Sequence, residues 1–363
     1  MNKGPARSAF VSAVTPSTSS ASAMTSSSSS STDNTAEECS TLLPSKVMHH
    51  QDPKLWLYHV ETTTSTMDEA RQIVESISAA NTDESNIPES FVISAASQSR
   101  GRGTTQRKWN SSQRGNALFT IGIPQSSWMV DLKKKNNGIM VPLTLLPLKI
   151  GSLVAQNIQR SLEECIDDKY QGVDKAAPKV TVKWPNDVLL KQSSSSSATQ
   201  QFSYEKVAGI LIESAKDWFI IGIGINVGYA PNIPKEGNDY GREATCFSQF
   251  CNAPIAAAAD DDDGNEEYWV KVSKELAKDI AYDLHSWLRS DHQDDSLSST
   301  EEHSGGAILD KWKSYLDYDM ELILRDTTKR ERVTLTDVME DGRVIVKEVE
   351  TGTTRTLVAD YFL

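Results

Sequence analysis

The spacing of apolar residues changes repeatedly along this chain, and each change predicts a new helix or strand. The segment KLWLYHV (54–60) predicts a strand, and a helix follows it. The apolar positions of that helix are Met67, Ala70, Ile73, Val74 and Ile77. Thr66, with Glu69 three residues later, predicts a capping box at its start. SFVISAA (90–96) and ALFTIGI (117–123) predict strands on either side of a basic loop that contains glycine.

The middle of the chain continues this mixture of helices and strands. A helix is predicted from Leu148 to Asp167, and Pro147 suits its first turn. Strands are predicted at KVTVKW (179–184), VAGILIES (207–214) and WFIIGIGINV (218–227), the last two as a central pair. The polar insertion KQSSSSSATQQ (191–201) lengthens the connection before Lys206, at a small entropic cost for a surface loop.

The last part of the chain changes from helices to short strands. Apolar residues from Trp269 to Trp287 predict a long amphipathic helix, and the acidic tract Asp260–Asp263 before it predicts a linker. A short helix near 308–316 then precedes four short strands with turn signals between them. This order predicts an α+β fold, with a mixed β-sheet flanked by helices and a small C-terminal β-barrel. We therefore expect a main domain at 55–316 and the barrel at 317–363.

The first 50 residues are rich in Ser, Thr and Ala and contain no acidic residue before Asp33. Such a segment buries too little apolar surface to offset its ordering entropy, so we expect residues 1–50 to be disordered. Lys3 and Arg7 among many serines also resemble an organellar transit peptide. A plain tail predicts a cytoplasmic protein, and a targeting segment predicts a mitochondrial or plastid one.

Charge and cysteine content bound the partners of the protein. A net charge of -13 disfavours binding to DNA or to anionic membranes. No apolar run reaches the ~18 residues of a membrane-spanning helix. The four cysteines, Cys39, Cys165, Cys246 and Cys251, include no CxxC pair, which favours reduced thiols in an intracellular protein over a disulfide or zinc framework.

The segment KWPND (Lys183–Asp187) interrupts an otherwise apolar, β-branched stretch. Proline cannot donate to a sheet ladder, so Pro185 suits a strand end, an edge or a bulge. Asn and Asp favour turns, and one interpretation is a solvated turn between two strands. The other interpretation is a functional loop, and it needs support from elsewhere in the chain.

A basic loop supplies that support. The segment from Ser97 to Phe119 alternates glycine and arginine at residues 100–103 and adds Arg107, Lys108, Trp109 and Arg114. Glycine lets a backbone approach a ligand closely, consecutive N–H groups can bind an anion, and arginine binds phosphate or carboxylate. A solvated basic turn and an RNA-binding patch are the alternatives, and a single aromatic residue makes RNA the weaker of the two.

Two strands carry further unusual residues. Lys206 enters an apolar strand and must reach a cleft or a partner such as Glu213, because burying it alone costs several kcal/mol. Gly222 and Gly224 lie inside a strand, where glycine often marks the close approach of a ligand, and Asn226 offers an amide at the strand's end. These groups together suit bringing two anions together, as an enzyme must when it joins a carboxylate to the α-phosphate of a nucleoside triphosphate.

Four motifs, in order, resemble those of the biotin protein ligases (holocarboxylase synthetases). STMDEA (65–70) is similar to the family's Ser-Thr-Asn segment, and GRGTTQRKW (101–109) resembles its adenylate loop. KWPND is identical to its most specific pentapeptide, and KVAGILIE (206–213) with GIGINV (222–227) completes the set. The resemblance implies a biotin/lipoate ligase-like catalytic domain followed by an SH3-like barrel.

The resemblance also implies roles for individual residues. A biotin pocket is implied at Ser65, Thr66, Gln98, Gly101, Arg102, Gly103, Ala208, Gly209, Gly222 and Gly224. A nucleotide site is implied at Arg107, Trp109, Asn186, Asp187, Lys206 and Asn226. Lys206 is the first choice for a catalytic residue, and Arg102 and Lys183 are the other catalytic candidates. The resemblance leaves the metal ligands unknown.

The implied reaction has two steps. ATP with Mg²⁺ activates biotin to biotinyl-5'-AMP, and a lysine in the biotin-accepting domain of a carboxylase then takes the biotin. The protein is expected to be a monomer or a homodimer. Some bacterial members carry an N-terminal helix-turn-helix domain. The low-complexity start of this chain has no periodic apolar segments from which to build one, so we do not expect such a domain here.

The chain also departs from the family pattern. Thr104 stands where the family usually has an arginine that orders the loop over the adenylate, and Met67 replaces the usual Asn. One alternative function is a lipoate–protein ligase or octanoyl transferase, although those families do not use KWPND. The other is a non-catalytic protein that binds a nucleotide or RNA through the basic loop.

Overall fold

The fold is described from a computed structural model of the chain. The described residues are 47–49, 52–79, 87–104, 107–111, 113–166, 178–194, 201–233, 242–251, 262–289, 303–324 and 331–358. Most of the predicted tail at 1–50 therefore lies outside the described residues, as do Cys39 and most of the Ser-rich insertion. Val47–His49 belongs to the predicted tail, yet it pairs with the next strand as the first strand of the sheet.

A mixed sheet of eight strands forms the body of the protein. Its strands are β1 (Val47–His49), β2 (Asp52–Thr63), β3 (Ser90–Gln98), β4 (Ala117–Pro124), β5 (Lys179–Lys183), β6 (Asp187–Ser194), β7 (Gln201–Ala215) and β8 (Trp218–Ile225). They lie in the order β1-β2-β3-β4-β8-β7-β6-β5. The β2–β3 pair is parallel and the other neighbours are antiparallel.

Helices cover both faces of this sheet, which confirms the predicted α+β fold. The helices are α1 (Thr66–Ala79), α2 (Leu132–Lys135), α3 (Leu146–Ile166), α4 (Asp262–Arg289) and α5 (Gly305–Lys313). Helix α1 packs with Phe91, Ile93 and Ile220 in one apolar cluster. Helices α3, α4 and α5 belong to the larger cluster on the other face, together with the buried residues of β4 to β8. Because both faces are covered, β4 and β8 are almost continuously apolar.

The C-terminal strands form a second, antiparallel sheet in the order β12-β11-β10-β9. They are β9 (Glu321–Ile323), β10 (Arg332–Val338), β11 (Val344–Glu348) and β12 (Thr354–Leu357). Closure of this sheet into a barrel stays a prediction, as do the domain boundaries. The buried residues Leu322, Val333 and Val346 belong to the same apolar cluster as α3 and α4.

The helix starts differ from the predictions in two places. Thr66 is the first residue of α1, the Ser65 hydroxyl accepts from the Met67 N–H at 3.3 Å, and Glu69 accepts from the Thr63 hydroxyl at 2.6 Å. The predicted capping box between Thr66 and Glu69 is therefore wrong. Helix α4 begins at Asp262, inside the acidic tract that was expected to lie in a linker.

The sequence predicted reduced cysteines and no membrane-spanning helix. Cys165, Cys246 and Cys251 are not in disulfide bonds. In the described part of the chain, no helix is long and apolar enough to cross a membrane.

Candidate active site

A cleft of about 810 Å³ opens where β7, β8 and the β5–β6 turn meet the start of α1 and the loop after β3. The predicted residues that line it are Ser65, Thr66, Gln98, Gly101, Arg102, Gly103, Arg107, Trp109, Lys183, Asn186, Asp187, Lys206, Gly209, Gly222, Gly224 and Asn226. The fold therefore brings four sequence motifs to one place, although they are distant in the chain.

Ala208 is the exception. Lys206 and Gly209 are three residues apart and would point to opposite faces of a regular strand. A β-bulge in the β6–β7 pairing shifts the register, so that Leu189 pairs with Lys206 and Asp187 pairs with Gly209. The extra residue lets Lys206 and Gly209 both line the cleft, while Ala208 is fully buried in the apolar core. Ala208 does not line the cleft.

Asp187 is the acidic centre of the cleft. Its Oδ1 lies 2.6 Å from Nζ of Lys206, and its Oδ2 lies 3.7 Å from Nζ of Lys183. Burial would raise the pKa of this carboxyl, but the two ammonium groups outweigh burial and hold the pKa below its ordinary value. Asp187 is therefore ionised, and two lysines face one carboxylate, which leaves excess positive charge for an incoming anion.

Lys183 is the more buried of the two lysines, with 6% of its side chain exposed. Burial lowers its pKa to about 8, although the Asp187 carboxylate opposes that shift. At neutral pH the ammonium is still protonated, so it can stabilise negative charge. Its proton is held much less firmly than that of an ordinary lysine.

Glu213, the alternative partner for Lys206, lies elsewhere. Its carboxylate forms an ion pair with the guanidinium of Arg71 in α1. The partner of Lys206 in the cleft is Asp187, as described above.

Glycines form the floor of the cleft. Gly209 of β7 pairs directly with Gly224 of β8, and the indole of Trp109 covers both. A Cβ added at Gly224 would lie 2.4 Å from Cε2 of Trp109, and one added at Gly209 would lie 2.9 Å from Cζ3 of the same ring. A Cβ at Gly222 would similarly lie 2.7 Å from Sδ of Met67. Glycine is needed here because side chains approach the backbone closely.

The basic loop folds back on itself beside this floor. The Trp109 N–H donates to the Gly101 carbonyl at 2.9 Å, and the Gly103 N–H donates to the Arg107 carbonyl at 2.7 Å. Thr104 accepts twice from the guanidinium of Arg107, from Nε to its carbonyl at 3.3 Å and from Nη2 to its hydroxyl at 3.0 Å. Thr104, the departure from the family pattern, therefore orients the guanidinium of Arg107.

Arg102 is held from outside the loop. Its Nη2 lies 2.8 Å from Oδ1 of Asp68 in the first turn of α1. Burial lowers the pKa of the guanidinium, and the Asp68 carboxylate offsets part of that effect. Its Nε is buried and has no acceptor among the described residues, so it is available to a ligand in the cleft.

At the opposite end of the cleft, neutral polar side chains are joined by hydrogen bonds. The Gln98 side-chain oxygen accepts from the Thr66 N–H at 2.7 Å and from the Thr66 hydroxyl at 3.2 Å. Thr120 donates its hydroxyl proton to Thr66 at 2.9 Å. Ser65, Thr66 and Gln98 are all buried, so these hydrogen bonds fix their positions.

Two asparagines tie the cleft together. The side-chain amide of Asn186 donates to the Ile210 carbonyl at 2.8 Å. The main-chain carbonyl of Asn186 accepts from the Ile210 N–H at 3.0 Å. Asn226 donates to the Thr245 carbonyl at 3.1 Å, while its side-chain oxygen is buried without a partner among the described residues. That oxygen is free to accept from a ligand.

The sequence predictions missed Arg242. This residue lines the cleft, donates from Nη1 to the Tyr204 carbonyl at 3.3 Å, and has a pKa lowered by burial. The segment after it adds a short parallel pairing to β7, since the Lys206 N–H donates to the Glu243 carbonyl at 2.7 Å. Nothing in the sequence shows that this segment returns to β7, so no local signal could have identified Arg242.

A protein-built metal site does not fit this cleft. Among the described lining residues, Asp187 is the one acidic side chain, and two lysines already contact it. No group of three or more His, Cys, Asp or Glu side chains in the described residues is arranged to hold a metal ion.

Comparison with known proteins extends this picture. Residues 61–229 match the model of the biotin/lipoate A/B protein ligase family. The bifunctional ligase/repressor BirA of Bacillus subtilis is 28% identical over 208 residues, which cover 56% of this chain and 49% of that protein. The biotin–[acetyl-CoA-carboxylase] ligase of Mycobacterium tuberculosis is 28% identical over 147 residues, 39% of this chain and 40% of that protein. The chain thus spans less than half the length of these relatives in the matched regions.

Solved structures of similar proteins include the biotin protein ligase of Leishmania major in complex with biotin. It is 25% identical, and the match covers 85% of this chain and 100% of that chain with a TM-score of 0.48.

Proposed function

We propose that this chain, whose residues 61–229 match the biotin/lipoate A/B protein ligase family, is a biotin protein ligase. It activates biotin with ATP to biotinyl-5'-AMP and transfers the biotin to a lysine of a biotin-dependent carboxylase. The observation that carries this proposal is the cluster of Lys183, Asp187 and Lys206 beside a glycine floor. Such a site meets the main difficulty of the reaction, which is to bring a carboxylate and a triphosphate into contact.

In the first step, an oxygen of the biotin carboxylate attacks the α-phosphorus of ATP. A carboxyl–phosphate bond forms, the bond to the β-phosphate oxygen breaks, and pyrophosphate leaves. Lys206 would contact both reacting anions, and Lys183 would stabilise the negative charge that develops on the phosphate. Asp187 keeps the Lys206 ammonium in place, since its Oδ1 is 2.6 Å from Nζ.

In the second step, the neutral amine of the acceptor lysine attacks the biotinyl carbonyl carbon. The new amide bond forms as the bond to the AMP phosphate oxygen breaks, and the amine proton is lost to solvent or to the leaving phosphate. Arg102 and Arg107 would lie over the adenylate and keep water from it, and Trp109 would pack near the adenine.

The neutral end of the cleft would bind biotin. Ser65, Thr66 and Gln98 would supply hydrogen bonds to the ureido ring, and the strands around Gly209, Gly222 and Gly224 would supply the apolar wall. Asn186, Asp187 and Asn226 would shape the nucleotide end.

We expect Mg²⁺ to enter with the phosphates of ATP. Magnesium is often held by one or two carboxylates together with substrate phosphates and water. Asp187, the acidic side chain among the described lining residues, is compatible with that arrangement. The lysines and arginines of this chain then supply the remaining positive charge. A carboxylase acceptor, a cytoplasmic or organellar location, and a monomeric or homodimeric state remain expectations.

The test is biotin-dependent exchange between ATP and pyrophosphate on the purified chain, with lipoate as a parallel substrate. We expect exchange with biotin and none with lipoate. Exchange with lipoate alone would favour a lipoate–protein ligase. Salt-sensitive RNA binding without exchange would favour the non-catalytic alternative.

A further inference from the structure

The KWPND turn contacts the C-terminal sheet on the side that faces away from the cleft. Trp184 is 3% exposed and donates from Nε1 to the carbonyl of Gly342 at 3.2 Å. Gly342 lies in the tight turn between β10 and β11, which residues 339–343 form. Lys183 and Asn186, on either side of Trp184 and Pro185, line the cleft.

The β10–β11 turn is fixed at a second point. The hydroxyl of Thr144, just before α3, donates to the carbonyl of Asp341 at 2.6 Å. The neighbouring carbonyls of Asp341 and Gly342 thus accept from the side chains of Thr144 and Trp184, both of which lie outside the C-terminal sheet. The turn is also held internally, because the Gly342 N–H donates to Met339 at 2.9 Å and the Met339 N–H donates to Arg343 at 2.7 Å.

Gly342 has no room for a side chain. Its φ is +82°, and an added Cβ would lie 2.8 Å from Cβ of Thr144 and 3.1 Å from the Thr144 carbonyl oxygen. Neither atom can move without moving the backbone that precedes α3. The β10–β11 turn is therefore packed tightly between Thr144 and Trp184.

We propose that the β10–β11 turn is a positioning element for the nucleotide end of the active site. The turn contacts Trp184 on the side away from the cleft, and Asn186 is hydrogen-bonded to Ile210 of β7. These two contacts together set the positions of Lys183 and Asp187. The inference rests on the proposed function and gives the C-terminal sheet a part in it. Because the hydrogen-bonding side chains of the biotin end lie at the start of α1 and on β3, away from the β5–β6 turn, a disturbed turn affects ATP and leaves biotin binding almost unchanged.

The chain offers a matched pair of variants for the test. Gly342→Ala introduces both an unfavourable φ and a clash with Thr144. Gly352→Ala, in the next turn of the same sheet, introduces a similar backbone strain at a φ of +71°, but its Cβ would meet only Cε of Lys347 at an ordinary 3.8 Å. Thr144→Val removes the hydroxyl that binds Asp341 without changing any glycine.

We expect Gly342→Ala to raise the KM for ATP by about tenfold and the KM for biotin by less than about twofold, because positioning errors act on the group that is misplaced. Thr144→Val should give a smaller change in the same direction, and Gly352→Ala should change neither constant. Equal effects of the two glycine variants, or equal effects on ATP and biotin, would overturn the proposal.

Amide hydrogen exchange separates this inference from the proposed function. In Gly342→Ala, residues 183–190 and the Ile210 amide should exchange faster than in the Gly352→Ala protein. That result with an inactive wild type would refute the ligase and leave the coupling intact. Unchanged exchange in an active, folded Gly342→Ala variant would refute the coupling alone.

Discussion

The two ends of the cleft hold their functional groups by different means. At the α1–β3 end, Thr66, Gln98 and Thr120 are joined by hydrogen bonds between neutral groups. At the β5–β6 end, Asp187 is held by two ammonium groups, one of which has a pKa lowered by burial. The neutral end fixes shape, whereas the charged end fixes electrostatic potential. The first is therefore expected to control which acid binds, and the second to control the reaction and its pH dependence.

The largest effect is expected from Lys206→Ala. The variant removes the cation that lies between the two reacting anions, so kcat/KM for biotin-dependent exchange should fall by about 1000-fold, while Lys183 still pairs with Asp187 and preserves the fold. Lys179→Ala, at an exposed position of β5, is the control and should keep full activity. Unchanged turnover in Lys206→Ala would remove this lysine from the mechanism.

A steric change in the floor should have the next largest effect. Gly224→Ala places a Cβ 2.4 Å from the indole of Trp109 and forces the ring to move. We expect the Kd for biotin to rise by about 10- to 100-fold, because displacements near 1 Å have effects of this size. Isothermal titration with biotin provides the measurement. Gly306→Ala, where the nearest atom is Ser304 Oγ at 3.8 Å, should bind biotin normally.

The charged end should also respond to pH. The pKa of Lys183 is about 8 in the fold, below its ordinary 10.5, so the ammonium loses its proton as the pH rises through about 8. The rate of adenylate formation should therefore decline above that pH. Lys183→Arg, which stays protonated, should lack this alkaline decline in the profile of kcat/KM. An identical decline in the variant would assign it to another group.

The same shift predicts a stability change with a definite sign. Burial destabilises the protonated form, so between pH 8 and 10.5 the unfolded chain binds more protons than the folded one. Stability from this group alone therefore rises with pH across that interval. Urea unfolding of the wild type should gain stability relative to Lys183→Met over the same range. A falling difference would contradict a lowered pKa.

The smallest effect is expected at the neutral end. Thr66→Val keeps the shape of the side chain but removes its hydroxyl contacts with Gln98 and Thr120. We expect the KM for biotin to rise by about three- to tenfold with little change in kcat, as the loss of one or two neutral hydrogen bonds predicts. Thr62→Val, at an exposed position of β2, is the matched control. A larger loss in kcat than in biotin affinity would place Thr66 in the chemical step.

The residues of the cleft differ in how well the sequence predicted them. KWPND, the glycines of β8 and the basic loop were each visible as residues that a strand or core would not otherwise contain, and each of these segments contributes residues to the cleft. Ala208 was misplaced because a β-bulge is not visible in the apolar pattern, and a register change of one residue moves a side chain to the other face. The capping box failed because Glu69 accepts from the Thr63 hydroxyl, while the Thr66 hydroxyl donates to Gln98, which is distant in the sequence.

Contacts between distant segments account for the other omissions. Arg242, the Asp68–Arg102 ion pair and the Trp184–Gly342 hydrogen bond each join parts of the chain whose proximity depends on the folded topology. Local spacing predicts periodic elements, but it carries no information about which turn of the C-terminal sheet reaches which loop.

The most direct measurement is the mass of the small molecule that the protein retains after incubation with biotin, ATP and Mg²⁺. We expect biotinyl-5'-AMP on the wild type and on Lys179→Ala, and none on Lys206→Ala. No adenylate on the wild type, or an equal amount on Lys206→Ala, would contradict this expectation.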